Sequence, residues 1–424
     1  MSGPSEQPVD PWRWCLLLAL AFVALSFVRL AIPSTPLFDE IHYLPAAREL
    51  IADWGWVNRE HPTLGKQIIA LSMLLFGDDS SGWRVMSALF GGLALFAGMR
   101  ALWFMTLSRF ATLAYGVLLA TGFALFVHAR IAMLDIFMVA FFLVALWQCA
   151  AAVREPETGL WRLAIAGVMI GFAMGSKWNV VFLAMVPGLA FFAFRLAAGR
   201  RRLFTSQRGM PIPGIALWQA ALLLGALPLF AYWLTYWPAY LAPINPLRPD
   251  GFVALHREIM ALQESVKKPH PYQSTVFDWV FNLRAIWYLY EDVDGAQRGI
   301  VLLGNPLTML VGLPAMIWAA WAGIFRQRWD ALAVFVLYAV SLGMWLVVNK
   351  PIQFYYHYFL PSCFLLAALA LALDELRTRG WGWVSWIVLA GSVGFFVYFY
   401  PIISAMKLDG LYSFLAWTWL EGWR

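Results

Sequence analysis

CLLLALAFVALSFVRLAI, residues 15–32, is an apolar run carrying one arginine. It empties almost at once into LFDEIHYLPAARELIADWGWVNREHPTLGK, residues 37–66. The first stretch decides the fold class, because about 20 apolar residues in a helix cross the roughly 30 Å of hydrocarbon in a bilayer. The second places an adjacent carboxylate pair, Asp39-Glu40, at the mouth of that span, followed by His42, Tyr43, Arg59, Glu60, His61 and Lys66. A solvated loop is the simplest account of such residues. Against it stand the rarity of charge in a chain that is 62% hydrophobic and 13% charged, and the return of isolated polar residues at the same edge of later spans.

Working outward, apolar runs of similar length recur, and the mean hydropathy is +0.69. The chain reads as an all-α polytopic membrane protein with about eleven spans: 13–32, 83–106, 111–127, 131–151, 161–176, 178–196, 214–236, 300–323, 331–348, 354–373 and 383–402. The segment Gln67–Phe76 is too short to cross and is expected to lie at the interface. Residues 1–236 then form an N-terminal transmembrane module with an acidic first outer loop, 33–82. Residues 237–299 form a long outer loop with an interfacial helix expected over Val276–Tyr290. Residues 300–402 form a four-span module and 403–424 an outer tail.

Placing the N-terminus in the cytoplasm puts Arg13, Arg100, Arg109, Arg154, Arg162, Arg195, Arg200, Arg201, Arg202, Arg208, Arg326, Arg328, Arg377 and Arg379 on the inner side. The acids there are half as many, and the outer side is left nearly neutral, as the positive-inside rule requires. The first run lacks a small-residue cleavage site and reads as a retained signal anchor. The formal charge of +6 is dispersed among spans, which argues against nucleic acid. Cys15, Cys149 and Cys363 lie in apolar stretches without metal-ligand spacing and read as small buried residues. No internal repeat is visible, which counts against an inverted-repeat transporter or flippase of a lipid-linked anion.

On this topology the chemistry faces outward. A carboxylate is suited to take a proton from an attacking hydroxyl. Neighbours on a helix diverge by about 100°, so one of Asp39 and Glu40 serves as base and the other positions it. Arg84, Arg130 and Lys177 stand at outer span ends. Each alone is accounted for by snorkelling, but three on the side the rule disfavours suggest a convergent anion site, where arginine forks match a phosphate. Asp135 in HARIAMLDIF needs a partner at that depth; Arg130 is one candidate, a substrate the other, and a metal held with Asp39 a third. HPYQSTVFDWVFNLRAIWYLYEDVDGAQRGIVLLGNP, 270–306, offers His270, Tyr272 and Asn305, with aromatics suited to stacking on a sugar. KPIQFYYHYFLP, 350–361, places Lys350, Gln353, Tyr356 and His357 at a span mouth, where an aromatic belt is the plainer reading.

Taken in order, eight motifs resemble the protein O-mannosyltransferase family, whose members have the C-type glycosyltransferase fold. They are FDEIHY (38–43), HPTLGK (61–66), WRVMSALFGG (83–92), RIAMLD (130–135), GSKWNVVF (175–182), HPYQS (270–274), GNP (304–306) and QFYYHYFLP (353–361). The resemblance implies an inverting enzyme of the plasma membrane that moves mannose from a polyprenyl-phosphate donor to Ser/Thr of exported polypeptides, without a metal or other cofactor. It implies Asp39 as base, Glu40 beside it, and Arg84 and Lys177 on the lipid phosphate. Arg130, His61, Lys66, Gln353, Tyr356 and His357 are expected on the donor side, and Asp135, Trp178, His270, Tyr272 and Asn305 in acceptor or structural roles. Thr63 stands where the family pattern has a second proline, and the 237–299 loop is too short for the β-trefoil domain of eukaryotic members. Transferases acting on a glycolipid such as lipid A share the fold, and family members often pair, so a glycolipid acceptor and a dimer both stay open.

Overall fold

The first apolar run folds as α1, Trp12–Phe27, and the chain then turns back on itself through a loop that carries the acidic pair. The computed structural model describes residues 8–52, 55–199, 202–265, 268–348 and 350–424. Arg200 and Arg201, assigned above to the inner side, fall outside them.

Two helices occupy the first loop, α2 (Glu40–Ala52) and α3 (Leu64–Phe76). At 1.5 Å per residue α3 reaches only about 20 Å, short of a crossing. Next come α4 (Val85–Thr106), α5 (Arg109–Ala120), α6 (Ala124–His128), α7 (Leu134–Arg154), α8 (Gly159–Ser176), α9 (Val181–Ala197) and α10 (Leu217–Leu234). The centre of this half is α7, whose residues Leu134 to Ala145 are all buried. Hydrophobic all round, it is the helix that every neighbour can pack against, and α4 and α8 take its two sides. Small residues let the helices close up. A Cβ at Gly171 of α8 would lie 2.5 Å from the Pro228 carbonyl oxygen of α10.

The second half holds α11 (Phe252–Ser265), β1 (Ile286–Val293), β2 (Ala296–Leu302), α12 (Pro306–Phe325), α13 (Trp329–Val347), α14 (Phe359–Leu376) and α15 (Gly382–Ile403). Helices α12, α13 and α14 pack together, and α14 also packs on α5, which joins the halves. Among the described residues, eight stretches are long and apolar enough to cross a membrane, against the eleven spans expected. The difference lies in α1 and α5, apolar helices of 16 and 12 residues, and in the last two expected spans, which form one stretch turning at Gly380 (φ 88°).

The interfacial helix expected over Val276–Tyr290 is not there. One short turn, Val276–Val280, leads into an antiparallel hairpin. Asp294-Gly295 makes its two-residue turn with φ of 52° and 70°, the left-handed pair that suits the twist of flanking strands. The C-terminal tail covers the hairpin: Leu408 N–H donates to the Gln297 carbonyl (2.9 Å) and the Trp287 indole to that of Trp423 (2.9 Å).

Candidate active site

Asp39 lies in the turn before α2, half-buried, and accepts a hydrogen bond from the Tyr43 hydroxyl at 3.1 Å. Burial raises its pKa above the ordinary carboxylate value; Lys177 opposes that shift and Asp135 adds to it. Lys177 stands at the junction of α8 and α9, where the chain is extended between two helices. Its Nζ donates to Asp135 Oδ2 at 2.6 Å and sits 4.6 Å from the centre of the Tyr356 ring. Asp135 Oδ1 is buried and has no hydrogen-bond partner among the described residues. Arg130, the side-chain partner expected for Asp135 from the sequence, does not reach it; Lys177 holds it instead.

An aromatic wall faces this group. The Phe38 ring meets Tyr288 at 4.9 Å, Tyr356 at 6.2 Å and Phe354 at 6.3 Å, and Phe354 stacks on Tyr356. His270 is edge-on to Phe354 at 5.1 Å and pairs with Tyr272 at 5.7 Å. His61 packs on Tyr43, and burial, with Lys177 and Lys350 nearby, holds its pKa well down. Lys350 is pushed down to about 8 by burial and by Lys177, opposed by Asp39 and Asp135. Among the described residues its Nζ has no hydrogen-bond or ion-pair partner. His357 Nδ1 lies 2.9 Å from both the N–H and the carbonyl oxygen of Phe354, and among the described residues its buried Nε2 has no hydrogen-bond partner.

Several expected ligands are committed elsewhere. Glu40 is fully buried, with Oε1 accepting from Arg84 (2.8 Å) and Ala132 N–H (2.7 Å) and Oε2 from Arg84 (2.7 Å) and Leu37 N–H (3.1 Å). It cannot reach an acceptor. Arg84 gives its remaining N–H groups to the carbonyls of Leu30, Pro33 and Thr35, so all five are spent and none is left for a phosphate. Arg130 donates from both terminal nitrogens to the carbonyls of Ser26, Val28, Arg29 and Ser404, satisfying the chain where α1 ends. Lys66 spends three donors on the carbonyls of Val57, Asn58 and His61. The Gln353 amide donates to the carbonyls of Trp345 and Lys350. Trp178 bonds Tyr232 and stacks on His256 of α11, outside the cluster. Asn305 ties the carbonyls of Thr121 and Ser392 and is structural.

The geometry thus gathers Asp39, Tyr43, His61, Asp135, Lys177, His270, Tyr356 and His357, and adds Tyr288 and Phe38. Tyr288 enters on the hairpin, whose one signal in the sequence is Asp294-Gly295. Among the described residues no group of three or more His, Cys, Asp or Glu is placed to hold a metal.

Comparison with known proteins gives a consistent result. Residues 60–236 match the family model described as dolichyl-phosphate-mannose-protein mannosyltransferase, and residues 249–423 match the C-terminal four-span region of protein O-mannosyltransferase. The polyprenol-phosphate-mannose–protein mannosyltransferase of Mycolicibacterium smegmatis is 26% identical over 100% of this chain and 94% of its own length. That of Mycobacterium tuberculosis is 28% identical over 96% of this chain and 90% of its own. In structure, a protein O-mannosyltransferase complex of Saccharomyces cerevisiae bound to its sugar donor superposes with a TM-score of 0.82 at 14% identity, covering 98% of this chain and 93% of that one. ArnT of Cupriavidus metallidurans bound to undecaprenyl phosphate gives 0.53 at 18%, covering 96% and 69%. At such identities the superpositions speak for the fold.

Proposed function

We propose, for a chain that belongs to the protein O-mannosyltransferase family, that it transfers mannose from a polyprenyl-phosphate donor to Ser/Thr hydroxyls of polypeptides. The observation that carries the reading is the setting of Asp39: a half-buried carboxylate with a raised pKa, in the field of Lys177, beside an uncommitted lysine and an aromatic wall. A carboxylate with raised basicity is the better general base. It takes the hydroxyl proton as the oxygen attacks the anomeric carbon from the side opposite the phosphate. The bond from that carbon to the phosphate oxygen breaks, and polyprenyl phosphate leaves with the electron pair. The configuration inverts. Lys350 and His357, through Nε2 when it carries a proton, would meet the departing phosphate, the service expected from the sequence of Arg84, Arg130 and Lys177. Preorganised donors at a developing charge are worth several kcal/mol in a site that excludes water.

In this reading the site opens to the outer face of the plasma membrane with the N-terminus in the cytoplasm, where the charge asymmetry of the loops supports it. The test is transfer by the purified chain from several labelled polyprenyl-phosphate sugars to a Ser/Thr-rich peptide. Label from the mannose donor should enter the peptide, and Asp39→Asn should lower turnover by about 10²- to 10⁴-fold with donor binding retained. Transfer to glycolipid in place of peptide, or full turnover by Asp39→Asn, would overturn the acceptor or the base respectively.

A further inference from the structure

Phe38 has a backbone φ of 47°. A bulky residue in the left-handed region is a true outlier, and such strain persists only where the surroundings over-determine it. Two restraints do so here. The first is a closed turn: Glu40 N–H donates to the Leu37 carbonyl at 2.9 Å, while Leu37 N–H donates to the Glu40 carboxylate at 3.1 Å. Glu40 itself is fixed by Arg84 and the Ala132 N–H. The second is the ring, set among Tyr288, Phe354 and Tyr356 at 4.9–6.3 Å in the tilted and edge-on arrangements aromatic pairs favour.

Asp39 lies between these two anchors. Its neighbour on one side is buried in an ion pair, and its neighbour on the other is seated among rings that come from the second half of the chain. With its backbone so held, the Cα–Cβ bond of Asp39 cannot swing without moving one of them, and the Tyr43 hydroxyl holds the carboxylate beyond it. A residue with ordinary backbone angles at position 38 would swing Cβ of Asp39 off its present line. The left-handed turn at Phe38 therefore sets the direction from which the Asp39 side chain leaves the backbone.

We propose that Phe38 is a positioning residue for the base: its ring, docked against Tyr288, Phe354 and Tyr356, holds the left-handed turn that aims Asp39 at the acceptor hydroxyl. The proposal rests on the reading of Asp39 as the base and names the device that orients it. It also assigns the hairpin a part in the reaction, since Tyr288 supplies the nearest of the three rings.

The test is steady-state kinetics of Phe38→Ala, Phe38→Gly and Phe38→Tyr beside Asp39→Asn. Phe38→Ala should lower kcat by about tenfold to a hundredfold, the scale of a misplacement near 1 Å, while the donor KM changes less than about twofold, below the scale of one lost contact. Phe38→Gly, which tolerates the backbone angle but lacks the ring, should fall between Ala and the parent. Phe38→Tyr should restore kcat to within about twofold, because it keeps the ring contacts. If Phe38→Ala is too unstable to purify, Phe38→Leu takes its place, keeping bulk without a flat ring. Parent-like kcat in the Ala or Leu variant, with Asp39→Asn inactive, overturns the proposal. So does equal loss in all three substitutions, Tyr included. An active Asp39→Asn instead removes the base reading, and the two failures are distinguishable.

Discussion

Asp39 is held at a cost to the fold, and the sign of that cost can be worked out. Its pKa is raised first by burial and then by Asp135, against the opposing charges of Lys177 and His42 and the Tyr43 hydrogen bond. A folded pKa above the unfolded one means that the protonated carboxyl is the form the fold prefers. Its stabilising contribution is complete below the unfolded carboxylate pKa and is lost as pH rises through the folded value. At neutral pH the ionised Asp39 is therefore a liability, and Asp39→Asn should raise the midpoint of thermal unfolding while it removes activity. The same shift sets the acid limb of kcat/KM above the usual carboxylate range, with the rate falling as pH drops through it. A limb at the ordinary value, or a less stable Asn variant at neutral pH, would show that Asp39 is not under this strain. At this scale the sequence was partly legible. FDEIHY, lying at the mouth of a span, singles out the Asp39-Glu40 pair. It does not separate Asp39 from Glu40, because the carbonyls and the Ala132 N–H that capture Arg84 and Glu40 come from segments up to 92 residues away.

At the scale of elements, Glu40 and Arg84, first expected in a binding site, tie the ends of helices together instead. Glu40 opens α2, Arg84 stands just before α4, and their hydrogen bonds also reach the chain leaving α1 and the Ala132 N–H ahead of α7. Both side chains are fully buried, so removal of either strands a charge without solvent, a loss of about 3–5 kcal/mol. Glu40→Ala and Arg84→Ala should each lower the thermal midpoint sharply, and activity should follow the folded fraction. A variant of Arg84 that unfolds like the parent but binds donor more weakly would return Arg84 to the phosphate. The arginines at span ends deceive because snorkelling, anion binding and capping of stray carbonyls leave the same mark in a sequence. The hairpin deceives differently: IWYLY is short and apolar enough to sit on either a helix or a strand, and only Asp294-Gly295 distinguishes them. Without the weight of that turn the stretch fits a helix, and a helix would not bring Tyr288 against Phe38 as the hairpin does.

Across the whole molecule the long apolar helices were legible and the site was legible only in pieces. The polar groups that converge come from the first loop, from the α8–α9 junction and from the stretch ahead of α14, brought together by the packing of α7 and by the hold of α14 on α5. No local pattern encodes that convergence. What the sequence does carry globally is sidedness, through the excess of arginine on one set of loops. If it reads correctly, Ser206 and Gly410 lie on opposite faces, since Ser206 follows α9 on the arginine-rich side and Gly410 follows α15 on the other. Both are outside the spans, and Cys15 and Cys363 are buried, so a cysteine introduced at either position stands out over background once Cys149 is replaced by alanine. In intact cells a membrane-impermeant maleimide should label Gly410→Cys within minutes and Ser206→Cys only after permeabilisation. The reverse pattern would place Asp39 on the cytoplasmic face, where an exported polypeptide would not meet it. Equal labelling of both would mean an even number of crossings between residues 206 and 410, against the five that α10, α12, α13, α14 and α15 make if all span. The arrangement of charge then bears on chemistry as well as insertion: one orientation presents the base to emerging hydroxyls and the other withdraws it.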